Sequence, residues 1–420
     1  MSEPLAVREA PASYVLNELR IRPGYKQTEV GVIPEDWDVR LLKDIISIKS
    51  GFAFSSKYYS DKGPILLTPG NFKLEGGLYF NERNTKRYSA SYSSSMSFNY
   101  GDLLIVMTDL TPDCDLLGKP AFVQLHEPIL HNQRIGKIIP YSSKFSLAFL
   151  YWYFLSDAHA LRMKETATGS TVRHTSNGSI YGSLIPLPST KAEQEAIAEA
   201  LSDADALIEA LEQLITKKRH LKQGAMQELL TGKKRLPGFG GEWETSTFGD
   251  VFNITAGGDV DPKRTISYQD QAHCYPIYSN ALTEFGLYGY CSYADHQASS
   301  ITVTARGTLG FANYRDHAYT AIGRVLVLQS KQKSDGRFFA EVINTRIKFS
   351  IESTGVPQLT APQISTYRLP VPSLPEQTAI ATLLSDMDTE IAALEQQLAK
   401  ARGIKQGMMQ ELLTGKIRLV

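Results

Sequence analysis

Two segments of the chain carry apolar residues at alternating steps of four and three, which is the spacing of a coiled-coil seam. Prolines precede each segment and a glycine, Gly232 or Gly415, follows it, as at the start and the C-terminal cap of a helix. The pattern predicts two amphipathic helices of about 35 residues, each roughly 50 Å long. The seam positions, expected to form the helix–helix interface, are Ile197, Leu201, Ile208, Leu211 and Ile215 in the first helix and Ile380, Leu384, Met387, Ile391, Leu394 and Leu398 in the second.

The two helical segments are copies of each other. Residues 193–236 and 376–419 align without a gap at an offset of 183, with 29 identities over 44 positions. A weaker sequence similarity links "EDWDVRLLKDI" (35–45) with "GEWETSTFGDV" (241–251). The segments between these similar regions differ in length and have almost no sequence similarity. The repeat is far longer than a solenoid unit of roughly 20–50 residues. The chain is therefore predicted to alternate two variable domains with two copies of one helix.

The charges along the helices indicate how they pair. Residues 193–216 contain seven acids and no base, whereas residues 217–235 contain seven bases and one acid, Glu228. Antiparallel pairing would place the acidic half of each helix against the basic half of the other. We therefore expect an antiparallel pair; the alternative is that two unrelated helices each carry a solvated charge gradient that follows the helix dipole.

The variable segments have the pattern of mixed α and β structure. "GDLLIVMTDL" (101–110) and "SSITVTARGTLGFANY" (299–314) are short β-rich runs, and "FSLAFLYWYFLS" (145–156) is apolar enough for a buried helix. The expected fold class is α+β, with two mixed α/β domains separated by two long antiparallel coiled-coil helices in a pseudo-two-fold, cyclic arrangement. The expected parts are an N-terminal extension (1–30), a first variable domain (31–185), a first spacer helix (186–236), a second variable domain (237–369) and a second spacer helix (370–420).

A cyclic arrangement makes a specific demand on the two ends of the chain. A variable domain should follow each helix in space, and after the second "MQELLTGK" segment the next domain is the first one, entered through "PEDW" near the N-terminus. We therefore expect the two termini to lie on the same side of the helix pair.

Composition excludes several classes of protein. Acids and bases are equal at 44 each, so no global charge indicates a nucleic-acid or membrane partner. The three cysteines form no C-x-x-C pair, and no window approaches 18 apolar residues, which fits a cytoplasmic protein. Phosphate-binding loops, H-E-x-x-H and G-x-S-x-G motifs are missing, so we expect no catalytic site and no cofactor on this chain. The spacing of His273, Cys274, Cys291 and His296 is poor for a zinc site, and no metal is expected.

What remains are polar residues suited to phosphates and base edges of DNA. A Thr-Gly loop occurs at equivalent places in both variable domains. "HNQRIG" (131–136) groups amide and guanidinium side chains that can make bidentate contacts to adenine and guanine, and "ARGTLG" (305–310) places an arginine beside a glycine-rich turn. The candidate DNA-binding residues are Thr108, Asn132, Gln133, Arg134, Thr168, Gly169, Ser170, Thr171 and Arg173 in the first domain and Lys263, Arg264, Arg306, Thr308, Thr354, Gly355 and Gln358 in the second.

The repeated frame resembles the specificity subunit of Type I restriction-modification systems. The resemblance lies in Pro-x-Pro-Ser, "LSD-x-D" and a helix ending in "KQG-x-MQELLTGK-x-RL", all present twice, with "SGFAFSS" (50–56) and "GDLLIVMT" (101–108) in the first variable domain. The second domain has "TAGGDV" where the first has "SGFAF". The resemblance implies that each variable domain is a target-recognition domain reading one half of an asymmetric, bipartite site on double-stranded DNA.

The resemblance also implies partners. Such a subunit is non-catalytic, docks two adenine methyltransferase (modification) subunits and joins motor-nuclease (restriction) subunits in the complete complex. S-adenosylmethionine, ATP and magnesium would belong to those partners, and the helix pair would set the spacing of the half-sites. An alternative from another class stays open, namely a coiled-coil adaptor that binds proteins through its variable domains and has no DNA specificity.

Overall fold

The chain forms two units, each of which combines one variable domain with parts of both long helices. Unit 1 comprises Met1–Glu209 and Ala399–Val420, and unit 2 comprises Ala210–Leu398. The computed structural model describes residues 21–111, 113–350 and 358–419. In this part of the chain no helix is long and apolar enough to span a membrane.

The elements that begin in unit 1 are small strands, three short helices and the first long helix. The helices are α1 (Leu147–Phe154), α2 (Asp157–Thr166), α3 (Asn177–Tyr181) and α4 (Lys191–Leu229). The strands are β1 (Tyr25–Thr28), β2 (Gly31–Pro34), β3 (Asp38–Leu41), β4 (Ile46–Ser50), β5 (Tyr59–Leu66), β6 (Arg87–Tyr88), β7 (Leu103–Val106), β8 (Thr108–Asp109), β9 (Pro120–Phe122), β10 (Ile129–Leu130), β11 (Ile135–Pro140), β12 (Arg173–His174) and β13 (Leu184–Leu187).

The elements that begin in unit 2 follow a similar order. The helices are α5 (Phe248–Val251), α6 (Gly336–Arg346), α7 (Ala361–Ser365) and the second long helix, α8 (Leu374–Leu412). The strands are β14 (Glu244–Thr247), β15 (Phe252–Ala256), β16 (Thr265–Ile266), β17 (Tyr275–Tyr278), β18 (Leu287–Cys291), β19 (Ser300–Thr304), β20 (Ala312–Arg315), β21 (Thr320–Ala321), β22 (Val325–Ser330) and β23 (Arg368–Val371).

The two variable domains share one sheet topology although their sequences have almost nothing in common. An antiparallel sheet has the strand order β4-β11-β7-β9 in unit 1 and β15-β22-β19-β20 in unit 2. A second sheet has the order β10-β5-β6 in unit 1 and β16-β18-β17-β21 in unit 2. The pairs β10–β5 and β17–β21 are parallel, and the other pairings in these sheets are antiparallel. Ile135 stands opposite Val106 as Val325 stands opposite Thr304. This register gives a residue-by-residue correspondence between the domains and confirms the α+β class.

The elements predicted from the hydrophobic pattern are present. The run 145–156 contains α1, where the Ser146 hydroxyl caps the helix by accepting a hydrogen bond from the Phe149 N–H. The α1 helix packs into the core of unit 1 with Trp152, whose Nε1 donates to the Ala198 carbonyl of α4 (3.1 Å). The run 101–110 forms β7 and β8, and the run 299–314 contains β19 and begins β20. The predictions of a buried helix and of β-rich runs are confirmed.

Within unit 2 the segments of α4 and α8 run antiparallel. Lys218 pairs with Glu390 (Nζ to Oε1, 2.5 Å) and Lys222 pairs with Asp388 (Nζ to Oδ1, 2.6 Å). Rising residue numbers on α4 therefore meet falling numbers on α8. The basic second half of the first helix lies against the acidic first half of the second, so the charge pattern predicted the direction correctly.

Within unit 1 the direction is the same. Lys405 of α8 pairs with Asp205 of α4, while Arg418, beyond the end of α8, reaches Glu193 in the first turn of α4. Here it is the basic second half of the second helix that meets the acidic first half of the first. Both units therefore contain the antiparallel arrangement, each with the two repeats in exchanged roles.

The predicted seam positions are buried or half-buried, but the first two of each copy also belong to a domain core. Ile197 and Leu201 cluster with the aromatic core of unit 1, and Ile380 and Leu384 cluster with that of unit 2. The start of each long helix therefore packs against the variable domain that precedes it. Of the other predicted positions, Ile208, Ile215 and Ile391 are buried and Leu211, Met387, Leu394 and Leu398 are half-buried.

A buried glutamate begins α4 and joins three segments of unit 1. Glu193 is only 2 % exposed. It accepts a hydrogen bond from Trp37 Nε1 (3.2 Å), and the Arg418 guanidinium donates to both carboxylate oxygens, at 2.5 Å from Nε and 3.0 Å from Nη2. Arg418 also pairs with Asp36 at 2.8 Å. The end of the second repeat thus lies against the "PEDW" segment, as the cyclic arrangement predicted.

Unit 2 contains the same junction with the repeats exchanged. Glu376 is 1 % exposed, accepts from Trp243 Nε1 (3.1 Å) and is held by Arg235 through Nε (2.5 Å) and Nη2 (2.6 Å). Gly232 and Gly415 lie just beyond the last helical residues, where their N–H groups donate to Leu229 and Leu412, as expected of helix ends. Each "MQELLTGK-x-RL" segment therefore ends a helix and supplies an arginine to the start of the other repeat.

The residue after each buried glutamate fastens the long helix to a domain helix. Gln194 Oε1 accepts from the N–H of Ser146, the residue that caps α1 (2.8 Å), and its Nε2 donates to the Pro188 carbonyl (3.1 Å). The corresponding bonds of unit 2 join Gln377 to the Asp335 N–H (3.0 Å) and the Pro372 carbonyl (2.8 Å). The Glu-Gln pair at the start of each repeat therefore fixes both the helix entry and the adjacent domain.

Replacing Arg418 with alanine should destabilise unit 1, because it leaves the buried Glu193 carboxylate without its cationic partner. Breaking a buried pair in this way costs roughly 3–5 kcal/mol, and we expect about 3 kcal/mol since Arg418 is partly exposed. Urea unfolding followed by tryptophan fluorescence measures the change. The control is Lys416→Ala, an exposed neighbour whose removal should cost about 0.5 kcal/mol or less. Equal stabilities of the two variants would contradict this account of the junction.

Two buried histidines of unit 1 should make the chain less stable in mild acid. Burial lowers the pKa of His159 to about 3 and the pKa of His131 to about 4. The pKa of a histidine in an unfolded chain is about 6.5, so the stabilisation is complete above that pH. As the pH falls below about 6.5 the unfolded chain takes up protons that the folded chain does not, and the free energy of unfolding decreases.

The test compares urea unfolding at about pH 7 and about pH 5. His159→Leu should make the loss of stability between these two pH values smaller than in the wild type. The matched control, Phe154→Leu, changes a neighbouring core ring that has no titrating group, so it should lower the stability equally at both pH values. An unchanged pH dependence in His159→Leu would show that His159 is not the responsible group.

Candidate nucleic-acid interface

Four of the predicted DNA-binding residues of unit 1 line one open cavity of about 320 Å³. Lys86 and Tyr59 also line it, with the Lys86 ammonium 5.6 Å from the centre of the Tyr59 ring. Guanidinium, ammonium and amide groups are those that read guanine and adenine edges. The fold thus gathers chemistry suited to base recognition from distant parts of the sequence. The four predicted residues are Thr108, Asn132, Gln133 and Arg134.

These four residues do not have equal access. Thr108 is buried, and its hydroxyl lies 3.1 Å from His174 Nδ1 on the neighbouring strand. Asn132 is also buried, and its Oδ1 accepts the N–H of Arg134 (2.9 Å), which fixes the turn before β11. Gln133 and Arg134 are exposed. The first two residues therefore shape the cavity, and the last two are placed to reach a ligand.

The Thr-Gly loop of unit 1 lies next to this cavity. It closes by two backbone hydrogen bonds between Thr168 and His174, and His174 pairs with Thr108. Gly169 has φ +91°, and a Cβ there would lie 2.1 Å from a backbone oxygen, so only glycine fits. Arg173 Nη1 donates to the Gly169 carbonyl (2.7 Å), so this arginine holds the loop itself. The exposed members of the loop are Thr168, Gly169, Ser170 and Thr171.

In unit 2 Arg306 occupies the place that Thr108 occupies in unit 1. Arg306 follows β19 and forms an antiparallel bridge with Gln358, as Thr108 follows β7 and pairs with His174. Arg306 and Gln358, which are far apart in sequence, are thus brought together, and both are exposed. Thr308 is exposed on the same turn, and the predicted Thr354 and Gly355 lie outside the described residues.

The remaining predicted residues of unit 2 lie on a separate turn. Lys263 and Arg264 are exposed on the short 3-10 turn Pro262–Arg264 that leads into β16. Arg264 Nε donates to the Ser292 hydroxyl (3.1 Å), and its guanidinium lies 4.5 Å from the centre of the Tyr293 ring.

In the described part of the chain no group of three or more His, Cys, Asp or Glu side chains could hold a metal ion.

The residue-by-residue correspondence between the two domains identifies an arginine that the sequence analysis missed. Arg134 immediately precedes β11, and its carbonyl accepts the Met107 N–H (2.9 Å). Arg324 immediately precedes β22, and its carbonyl accepts the Ala305 N–H, also at 2.9 Å. Both arginines are exposed. The only signal in the sequence is an arginine directly before an apolar strand, which is too common to have singled out Arg324.

A glycine of each domain permits the same close backbone approach beside these arginines. A Cβ on Gly51 of "SGFAF" would lie 2.2 Å from the Asn132 carbonyl oxygen. A Cβ on Gly257 of "TAGGDV" would lie 2.4 Å from the Ile322 carbonyl oxygen. Asn132 and Ile322 occupy equivalent places two residues before the arginines. The second domain therefore keeps the backbone geometry of "SGFAF" without its sequence.

Comparisons with known proteins agree with this duplicated plan. The family model described as Type I restriction modification DNA specificity domain matches residues 34–218 and again residues 240–401. The chain is 24% identical over 437 residues to the Type I restriction enzyme MjaIX specificity subunit of Methanocaldococcus jannaschii, covering 94% of this chain and 96% of that protein. It is 28% identical over 431 residues to the putative type I restriction enzyme MjaX specificity subunit of the same organism, covering 94% and 97%.

A solved structure has the same fold. The S subunit of a Type I restriction-modification system from M. genitalium matches with a TM-score of 0.59 at 17% sequence identity, covering 90% of this chain and 96% of that chain. At this identity the likeness concerns the fold alone. It confirms the expected fold over nearly the full length of the chain.

Replacing Gly257 with alanine should distort the turn that carries Arg324, because the added Cβ would lie only 2.4 Å from the Ile322 carbonyl oxygen and 2.5 Å from the Ala321 carbonyl oxygen. We expect unit 2 to lose roughly 1–3 kcal/mol, the usual cost of forcing an extra group into a packed site. The matched control is Gly258→Ala, since a Cβ at this adjacent glycine meets nothing within 4 Å. Urea unfolding of both variants measures the difference, and equal unfolding curves would rule out the proposed close approach.

Proposed function

Because the chain belongs to the Type I restriction modification DNA specificity family, we propose that it is the sequence-recognition and scaffolding subunit of a Type I restriction-modification complex. The observation that carries the proposal is the pair of equivalent, exposed arginines, Arg134 and Arg324, on two domains of one topology. Bidentate arginine contacts to guanine are the commonest specific contacts in DNA recognition. A duplicated domain that presents such a group twice is suited to a site with two halves.

The two half-sites differ because equivalent places carry different side chains. The position two residues after β7 holds Thr108 in unit 1, and the equivalent position after β19 holds Arg306 in unit 2. The residue paired with it is His174 in unit 1 and Gln358 in unit 2. Donor and acceptor patterns at these places are therefore not the same, so the two domains prefer different bases. We assign recognition of one half-site to domain 31–185 and of the other to domain 237–369, and an asymmetric, bipartite target follows.

We propose that the protein works through partners and carries no reaction of its own. Its equal numbers of acids and bases supply little phosphate attraction. Two modification subunits that dock on it would add phosphate contacts and transfer the methyl group to adenine, and restriction subunits would add the motor and nuclease. S-adenosylmethionine, ATP and magnesium belong to those partners in this proposal, with no cofactor on this chain. The complex would act in the cytoplasm, where it meets the DNA.

Methylation sequencing tests the function directly. Cells that express this chain with its modification subunits should methylate adenine in one bipartite motif, and cells that lack only this chain should not. Expression of the modification subunits is verified in both cultures. An unchanged pattern of methylation, with active modification subunits present, would overturn the proposal and favour the protein-binding adaptor.

Single arginine variants should each affect one half of the motif. Arg134→Ala should relax the specificity for one half-site, and Arg306→Ala or Arg324→Ala should relax it for the other, each by roughly 1–3 kcal/mol in binding. The measurement is methylation of a library of sites in which each half is randomised in turn. The control is Arg368→Ala, an exposed arginine on β23, which should leave both halves unchanged. A uniform loss over all sequences would indicate phosphate contacts instead.

A further inference from the structure

An aromatic side chain of unit 2 is displayed on a strained turn. Glu284, Phe285 and Gly286 all have left-handed backbone, with φ of +48°, +53° and +87°. Residues other than glycine are disfavoured in this conformation, because their Cβ crowds the neighbouring carbonyl. Phe285 is also 71% exposed, the highest exposure among the large hydrophobic residues described. The fold therefore exposes an apolar ring to water and keeps its residue in an unfavourable backbone conformation. Backbone strain of this kind is concentrated at functional sites.

A buried arginine holds this turn in place. Arg315 is 4% exposed, and its Nη2 donates to the Phe285 carbonyl (2.6 Å). Its Nε donates to the Thr302 hydroxyl (3.0 Å), and its guanidinium lies over the Tyr278 ring, 3.4 Å from the centre. Because a buried charge with several partners is held in one geometry, Arg315 makes the turn rigid rather than loose. The backbone that carries Phe285 is thus held in place.

The turn lies beside the candidate base-reading residues of unit 2. Asn280, on the same loop, donates from Nδ2 to the Arg306 carbonyl (2.9 Å). The loop follows β17, and the corresponding loop after β5 supplies Thr68, Pro69 and Gly70 to the cavity of unit 1. The loop that carries Phe285 is therefore hydrogen-bonded to one of the residues that we assign to the half-site of unit 2.

The charge of the loop decides which part of DNA it suits. Residues 279–288, "SNALTEFGLY", contain no lysine or arginine and one acid, Glu284. Such a loop has no cationic side chain to attract a phosphate, and the carboxylate would repel one. The other large side chains that it exposes are Leu282 and Tyr288, which are apolar or aromatic. Its chemistry fits the apolar faces of bases.

We propose that Phe285 inserts into the base stack of the half-site that unit 2 reads. Phenylalanine and leucine are among the side chains that minor-groove-binding proteins insert as wedges between base steps, where they unstack and kink the duplex. A wedge of this kind prefers base steps that unstack easily, so it adds selectivity at positions without hydrogen bonds. The inference rests on the proposed DNA-recognition function and names a further residue that serves it.

The experiment uses the chain in complex with its modification subunits and a duplex that carries the motif found by methylation sequencing. A 2-aminopurine is placed in turn at each position of the two half-sites. Binding of the wild-type complex should raise the 2-aminopurine fluorescence at one base step of the half-site read by unit 2. Phe285→Ala should abolish that rise and weaken binding about tenfold, within the range known for base–aromatic stacking. Phe285→Trp should retain both.

Matched controls separate the possible outcomes. Tyr268 is 67% exposed and lies outside the loop, so Tyr268→Ala should leave fluorescence and affinity unchanged. If the wild-type complex does not prefer the motif duplex over an unrelated one, the proposed function itself fails. If it does and Phe285→Ala behaves like the wild type, the wedge is wrong. If Phe285→Ala instead loses its modification subunits in gel filtration without DNA, Phe285 belongs to a protein interface and the inference is overturned.

Discussion

The burial of one carboxylate at the start of each long helix governs how the chain is assembled. A charge in a domain interior is tolerated only with a partner and with its hydrogen bonds satisfied. Glu193 and Glu376 obtain theirs from an indole of the adjacent domain and from an arginine at the far end of the other repeat. Neither repeat is therefore complete alone. The helices and the domain entries are brought together by this requirement, and the salt bridges along α4 and α8 favour the same antiparallel pairing.

The two variable domains show which part of a fold can vary freely. Their strands keep the same order and register, since backbone hydrogen bonds do not depend on the side chains. Where the backbone itself comes close, at Gly51 and Gly257, the residue type is kept. At the position that follows β7 and β19, by contrast, the residue changes completely, from the buried Thr108 to the exposed Arg306. A surface that varies on a constant frame is what two different half-sites require.

The sequence predicted the features that follow from periodicity and from repetition. The two helices, their antiparallel direction and the buried helix around Trp152 all follow from local patterns of charge and hydrophobicity. Glu193 was not singled out, because an acid in the first turn of a helix is ordinarily a solvated residue that favours the dipole. Arg324 and Phe285 were missed for a related reason. Their importance depends on register and on strained backbone, both of which come from contacts between residues distant in sequence. The DNA contacts predicted for individual residues remain predictions.

The exchanged roles of the two repeats also bear on how such a protein changes over generations. Both repeats supply the same three groups to the junction with a variable domain, at the same positions. These groups are the buried glutamate, the glutamine that follows it and the arginine at the end of the repeat. A gene exchange that begins and ends within the repeated segments would thus replace a whole domain and leave each junction intact. The constant part of the molecule is also the stretch in which the two halves of this chain resemble each other most, with 29 identical residues over 44 positions. New specificities can therefore arise by reassortment of whole domains, without the slow rebuilding of a core.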